Sequence, residues 1–595
     1  MAKDSKKPNG KVFDRAITGR LISYTRPYRK WFILALTLTL IASVLTPLTP
    51  ILVETILDGP VSNGDTIGLR NWVLILLLVL MMQAGINYIN TYLTAWLGQV
   101  VIRDMREQIF RHILQLKLSY FDKTPVGRLQ TRAISDIETL NNVFSSGLVQ
   151  IIGQIFLIIA IVVFMLISDW RLTLVVLSVI PLMFLATWVF KNYVKAAFQR
   201  VRTSVSNMNT FLQEHITGMQ IVHIFSREKK EAERFDGINT ELRKAHIASV
   251  MAYSIYFPVI EIITALATAL LVWYGAGRAM NGLQFGTLTA FIMYLNMFFR
   301  PLRQIADQFN TLQLGMVSAE RVFEVLDTDE FIVEPEDRRP DYDPAKDGNG
   351  QPNKGVSVKF EKVSFAYNEP DWVLKDVTFE VAPGNNVALV GSTGSGKTTI
   401  ISLLSRFYEI QKGTIWVGDV DVKQLSLEEL RQRVGVVLQD VFLFSGSIRD
   451  NITLNNANIP LERVMEAAKQ VGAHDFIMNL PEGYDYNVRE RGATLSLGQR
   501  QLIAFARVMV YDPSILVLDE ATANIDTESE EIIQQALDKV MAGRTSIIIA
   551  HRLSTIQKAD LIIVLNKGEI EESGNHQELM KLQGAYFKLH ELQFD

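Results

Sequence analysis

A chain of 595 residues exceeds what one hydrophobic core ordinarily organises, so at least two domains are expected. Its 48% apolar share is unevenly spread, with long uncharged stretches in the first half and dense charge in the second, the pattern of a membrane domain followed by a soluble one. The formal charge of -4 makes no case for nucleic acid as a partner, and the lack of cysteine excludes disulfides, thiolate metal sites and a cysteine nucleophile.

A helix rises about 1.5 Å per residue and the hydrocarbon core is about 30 Å thick, so a span needs roughly 20 largely uncharged residues. In chain order, residues 31–53, 71–102, 141–168, 172–190, 247–277 and 280–299 meet this, predicting six spans. Only Asp169, Trp170 and Arg171 separate the third from the fourth, and only Arg278 and Ala279 separate the fifth from the sixth, so both connections are tight hairpins. Polar and basic residues precede the first run, which reads as an uncleaved insertion signal.

Residues 1–30 carry nine Lys or Arg against two acids, residues 103–140 seven against five, and residues 191–246 ten against six. The opposite connections hold only Arg70, Arg171 and Arg278 as basic residues, so both termini and both long connections are expected in the cytoplasm. Those connections keep apolar positions at helical spacing, as in Arg103 to Phe110 and after Arg227, and predict helices continuous with their spans. Turns at their tips, at 122–127 and at Thr217-Gly218, suit contact with a soluble domain.

Within the spans, Pro47, Pro50 and Pro258 can bend or unwind a helix toward a cavity, and Asn87, Asn90 and Asn296 suit joining helices or lining one. Glu261 is the sharpest membrane feature, because a carboxylate in lipid is expensive. A place in the substrate cavity, through cation contact, proton coupling or gating, competes there with a structural hydrogen bond or a position near the headgroups.

The helical pattern runs on to Leu326 and breaks into a Pro, Asp and Gly rich passage. The expected organisation is therefore a six-span all-α membrane domain over 1–326, a linker over 327–354 and an α/β P-loop ATPase domain over 355–595.

The apolar run 387–390 reads as a strand and leads into Gly391, Ser392, Thr393, Gly394, Ser395, Gly396, Lys397, Thr398 and Thr399, then a helical segment. Glycines let backbone N–H groups curl around phosphate oxygens, and the helix N-terminus adds favourable polarity. Lys397 would reach the β and γ phosphates of ATP, and Thr398 would ligate Mg²⁺. The apolar run 515–518 suits a buried parallel strand ending in Asp519 and Glu520, at the edge where open α/β sheets bind ligands. Asp519 suits Mg²⁺ held through water, and Glu520 suits polarising the attacking water.

With these motifs in place the chain resembles the ABC transporter family, specifically exporter-type half-transporters with an N-terminal membrane domain and a C-terminal nucleotide-binding domain. The resemblance covers nearly the whole sequence, with motifs in family order. It implies that Tyr367 stacks on adenine, that Gln439 contacts Mg²⁺ and the membrane domain, and that His551 is a switch near the γ phosphate. Leu495-Ser496-Leu497-Gly498-Gln499 matches the signature that binds nucleotide held by the opposite subunit, carried by Ser496, Gly498 and Gln499, with Leu497 in place of the usual glycine. Arg489 likewise replaces a usual glycine in the coupling segment Arg489-Glu490-Arg491-Gly492, Asp526 matches a loop crossing the dimer interface, and Tyr120-Phe121-Asp122 and Thr217-Gly218-Met219 resemble coupling helices.

The resemblance implies alternating access by a dimer, with a second, identical half-transporter preferred over a different one. Lipids, amphipathic drugs or peptides are the substrates it permits, and mixed apolar and polar spans suit an amphipathic lipid or drug. Its expected location is a bacterial inner membrane. An ATP-gated channel or regulatory membrane subunit is the alternative.

Overall fold

The computed structural model describes residues 15–279, 284–332, 355–519, 527–550 and 552–594. The chain forms two compact units: Met1–Leu114 with Val126–Thr328, and Gln115–Pro125 with Asp329–Asp595.

Among the described residues the first unit has helices and no strand. Five described helical stretches are long and apolar enough to cross a membrane: Arg26–Val61, Thr66–Gln115, Val126–Ser168, Trp170–Phe190 and Glu228–Arg278. Where the sequence predicts six, the described residues thus establish five. The sixth falls in the helix Phe285–Leu326, long enough at 42 residues, but Asn296, Arg300 and Pro301 dilute its apolar half, and residues 280–283 lie outside the described ones. The helical connections are as expected: Thr66–Gln115 runs unbroken for 50 residues, about 75 Å at 1.5 Å per residue. Ile180–Thr217 ends at Gly218, where the predicted turn leads into Met219–Ile224.

The prolines behave differently from one another. The helix Arg29–Leu45 gives way at Thr46 and Pro47 to Leu48–Ile56, and the Tyr294 hydroxyl donates to the Pro47 carbonyl at 2.9 Å. Pro258, by contrast, sits inside the continuous helix Glu228–Ala279.

Hydrophobic force is weak between helices in lipid, so close packing and polar contacts join them. Asn90 Nδ2 donates to Thr39 Oγ1 at 3.0 Å, and Ser43 donates to the Gly153 carbonyl at 3.1 Å. A Cβ on Gly153 would lie 2.4 Å from Thr39 Cγ2, so only glycine permits that approach. Glu54, which sequence reasoning did not single out, accepts from Ser168 at 3.2 Å and Thr287 at 2.8 Å, tying three helices together.

The hairpin between the third and fourth spans is built on Asp169, in extended backbone. Its carboxylate caps the helix Trp170–Leu177 by accepting from the Arg171 and Leu172 amides at 2.8 and 3.0 Å, and it pairs with Arg278. Burial pushes this carboxyl upward, but the Leu172 amide, Arg278 and the Arg171 amide outweigh it and hold the group below its ordinary value.

The second unit carries two sheets. β1 (Val358–Phe365), β2 (Leu374–Val381), β4 (Lys412–Val417) and β5 (Val420–Asp421) form an antiparallel sheet in the order β2-β1-β4-β5. β3 (Asn386–Val390), β6 (Val434–Val437), β7 (Ile515–Asp519), β8 (Thr545–Ile549), β9 (Leu561–Asn566) and β10 (Glu569–Gly574) form the second, ordered β10-β9-β3-β8-β7-β6. It is parallel except for β10, which hairpins back on β9. β3, β7 and β8 are almost wholly buried, as unbroken apolar runs covered on both faces should be. One core fills the space between the sheets, and a second lies under the helices Leu461–Gln470, Leu497–Tyr511 and Thr527–Met541.

The segment Gln115–Pro125 belongs to this unit although flanked on both sides by the first. The Lys117 amide donates to the Glu330 carbonyl at 2.9 Å and Leu116 bridges Phe331, so the start of the expected linker is structured; residues 333–354 lie outside the described ones.

A carboxyl with a lowered folded pKa contributes stability above its unfolded value, about 3.9, and loses it as pH falls through the folded value. Asp169→Asn, which can still cap, is expected to cost about 1–3 kcal/mol near neutral pH. Thermal unfolding in detergent as a function of pH checks this, because the difference from wild type should shrink as pH falls below the unfolded carboxyl value and the Asp169 carboxylate becomes protonated.

Candidate nucleotide-binding site

Four motifs leave the carboxyl edge of the parallel sheet. β3 runs into the loop at Gly391, β6 ends just before Gln439, β7 ends at Asp519, and β8 leads through Ala550 toward His551. β8 lies between β3 and β7, with Leu389 in register with Ile549 and Asp519 with Ile549. Asp519 therefore stands two strands from the loop, about 10 Å at the usual strand spacing, a distance that leaves room for a phosphate and its cation.

The loop has the backbone its glycines allow. Gly391 and Gly396 have φ of 152° and 106°, and added Cβ atoms would meet the Leu565 carbonyl oxygen at 2.2 Å and Leu374 Cδ2 at 2.6 Å. The helix Lys397–Leu404 begins immediately after, with Thr398 exposed in its first turn and Thr399 buried. Lys397 Nζ folds back to donate to the Gly391 and Ser392 carbonyls at 2.7 and 2.9 Å. Burial holds this ammonium below its ordinary pKa, and the Asp519 carboxylate pulls it partly back. Ser395 Oγ is buried with no hydrogen-bond partner. An orphan hydroxyl, an ammonium spent on loop carbonyls and a helix N-terminus all suit a phosphate chain. Thr393 and Gly394 are exposed at the loop's crest.

The same residues fit a magnesium ion. Among the described residues no three His, Cys, Asp or Glu cluster as a self-sufficient metal cage. Mg²⁺ characteristically keeps waters and takes one or two protein ligands beside phosphates, and Thr398, Gln439 and Asp519 offer that donor set. Gln439 is exposed just beyond β6, the neighbour of β7. Glu520 and His551 lie outside the described residues, as does Asp526.

Tyr367 is 43% exposed, held edge-on by Phe365 at 4.9 Å and Tyr408 at 5.0 Å, and its hydroxyl shares a 3.2 Å hydrogen bond with Thr399 Oγ1. A partly exposed ring fixed by two perpendicular neighbours and by its hydroxyl suits stacking on a base.

The signature lies at another helix start. Ser496 caps Leu497–Tyr511 by accepting from the Gln499 amide at 3.2 Å, and its own amide donates to Gln499 Oε1 at 3.0 Å. Gly498 is buried and Ser496 exposed, and among the described residues neither Ser496 nor Gln499 bonds to the phosphate loop. Upstream, Arg489 has φ 53° and ψ -173°, next to a region that glycine alone occupies freely.

Glu261 is exposed on its helix between buried Ile260 and Ile263, with no partner among the described residues. Sequence reasoning missed Asp58, which accepts from the Gly286 amide at 2.6 Å, and Tyr408, which bonds to Asp122. Asp58 and Glu54, four apart on one helical stretch, were visible as a pair of acids at the end of the first span.

The fold and site define a membrane protein with a phosphate-loop ATPase. Family models agree: that of the ABC transporter transmembrane region matches residues 32–302, and that of the ABC transporter ATPase region matches residues 374–523. The uncharacterized ABC transporter ATP-binding protein YknV of Bacillus subtilis is 38% identical over 98% of this chain and 96% of its own length. An ATP-dependent lipid A-core flippase of Syntrophus aciditrophicus is 34% identical over 97% of this chain and 94% of its own. A probable multidrug resistance ABC transporter protein of Bacillus subtilis, YheH, is 38% identical over 87% of this chain and 75% of its own. The chain belongs to the ABC transporter family, with an N-terminal transmembrane domain and a C-terminal nucleotide-binding domain that hydrolyses ATP in coupling to transport.

Left-handed backbone at a non-glycine residue costs about 1–3 kcal/mol. Arg489→Gly is therefore expected to raise the unfolding midpoint of the nucleotide-binding domain, read by differential scanning calorimetry.

Proposed function

We propose that the protein exports or flips an amphipathic substrate, a lipid or drug, by ATP-driven alternating access of a dimer of identical chains in a bacterial inner membrane. Six spans, with both termini cytoplasmic, complete the membrane domain in this reading, which extends over 1–326, followed by a linker over 327–354 and the nucleotide-binding domain over 355–595. The observation that carries the reading is the exposed cap of the signature helix. Ser496 and Gln499 present a helix N-terminus able to hold a γ phosphate, and their side chains cap each other's amides. A second chain would bring its phosphate loop to that cap, so each nucleotide would be sandwiched between two subunits.

In this mechanism Tyr367 stacks on adenine, the amides of 391–396 and Lys397 hold the β and γ phosphates, and Thr398, Gln439 and Asp519 hold Mg²⁺. The ion would offset phosphate charge. Glu520 orients and deprotonates the attacking water, and His551 contacts the γ phosphate. Closure of the sandwich would turn the spans outward, and hydrolysis would release it. Likeness to a lipid A-core flippase and to a probable multidrug resistance transporter supports a lipid or drug as substrate. Glu261, exposed within its span, is the residue proposed to meet that substrate.

Liposomes containing the purified chain are expected to move a labelled lipid or amphipathic drug uphill, dependent on ATP and Mg²⁺. Glu520→Gln should bind ATP, accumulate as a closed dimer and lose transport; rapid steady-state hydrolysis by that variant, or ATP-driven downhill flux alone, sinks the reading.

Subunit complementation tests the sandwich. Lys397→Ala and Ser496→Ala homodimers are each expected to be inactive, whereas mixing them should restore hydrolysis, since a mixed dimer keeps one site with both parts intact. If each site lay within one chain, no mixture would recover activity.

A further inference from the structure

Asp122 lies on the short helix Leu118–Lys123, within the segment Gln115–Pro125 that packs with the nucleotide-binding unit. Its carboxylate accepts a hydrogen bond from the Tyr408 hydroxyl. Tyr408 follows the helix that begins at Lys397 and is half-buried. Its ring meets Tyr367 edge-on, centroids 5.0 Å apart and planes at 89°, and meets Phe365 at 5.8 Å. Burial, reinforced by Asp122, holds the Tyr408 phenol well above its ordinary pKa, so it stays protonated and donates.

A stacking ring binds a base well only when its plane is already set. A perpendicular aromatic neighbour helps to set that plane. Thr399 holds the Tyr367 hydroxyl, and Tyr408 packs perpendicular to its ring. Tyr408 itself could turn about its side-chain torsions, and the bond to Asp122 removes that freedom.

We propose that Asp122 is a positioning residue for nucleotide binding. Through Tyr408 it orients the ring of Tyr367, so the connection between two membrane spans tunes how tightly the base, as distinct from the phosphates, is held. The inference rests on Tyr367 stacking on the base, as read above.

The test uses the full-length protein and two probes, ATP and inorganic tripolyphosphate, which keeps the phosphates and lacks the base. Tyr408→Phe retains the ring without its hydroxyl, and Asp122→Ala removes the acceptor. Each is expected to raise the ATP dissociation constant about three- to tenfold and to leave tripolyphosphate binding unchanged. Tyr367→Ala should show the same selectivity with a larger loss. If Tyr367→Ala weakens ATP alone while Asp122→Ala and Tyr408→Phe bind it like wild type, the positioning role is overturned and stacking survives. Equal weakening of both probes by Asp122→Ala and Tyr408→Phe would mean a merely structural staple, which also overturns it. If Tyr367→Ala has no ATP-selective effect, the stacking reading fails and the positioning role falls with it.

Discussion

A phosphate chain can be held by main-chain N–H groups only where a strand turns sharply into a helix without side chains in the way. That constraint governs the nucleotide-binding unit. At Gly391 the backbone passes so close to Leu565 that a single methyl group would collide, and the same holds between Gly396 and Leu374. The loop is thus pressed against β9 and the start of β2, which leaves Lys397 and the buried Ser395 hydroxyl turned in on the loop itself. The parallel order of the sheet then matters more than any single residue. It makes β3, β6, β7 and β8 end on one edge, and so gathers segments far apart in sequence.

The other half of the proposed site follows from a helix cap. Ser496 and Gln499 satisfy each other's amides, which stabilises the first turn of Leu497–Tyr511 without help from elsewhere. A cap that is self-sufficient and exposed can remain formed while its anionic partner comes and goes. Leu497, in place of the glycine expected by family likeness, is accommodated as the first helical residue, and Gly498 after it is buried.

In the membrane unit, polar groups sort into two kinds. Glu54, Asp58, Asn90 and Ser43 are bonded across helices, the economical use of a polar group where water is scarce. Glu261 is bonded to nothing among the described residues and faces outward on a single chain. That contrast, rather than the mere presence of an acid, is the physical basis for the substrate contact proposed for Glu261.

Local chemistry made much of this legible in the sequence. The phosphate loop, the strand ending in Asp519 and the hairpin at Asp169 each depend on residues within a few positions of one another, so their spacing alone predicts them. A sixth span, expected at 280–299, is not established among the described residues, because the polar residues of Phe285–Leu326 blur the contrast on which hydropathy relies. Tertiary structure alone decided the strand order that unites the motifs, the three-helix contact of Glu54, and the line from Asp122 through Tyr408 to Tyr367. The Glu54 bonds join residues 114 and 233 positions apart and the Asp122–Tyr408 bond residues 286 apart, and no periodicity in a chain encodes which distant surfaces will meet once their apolar faces are buried.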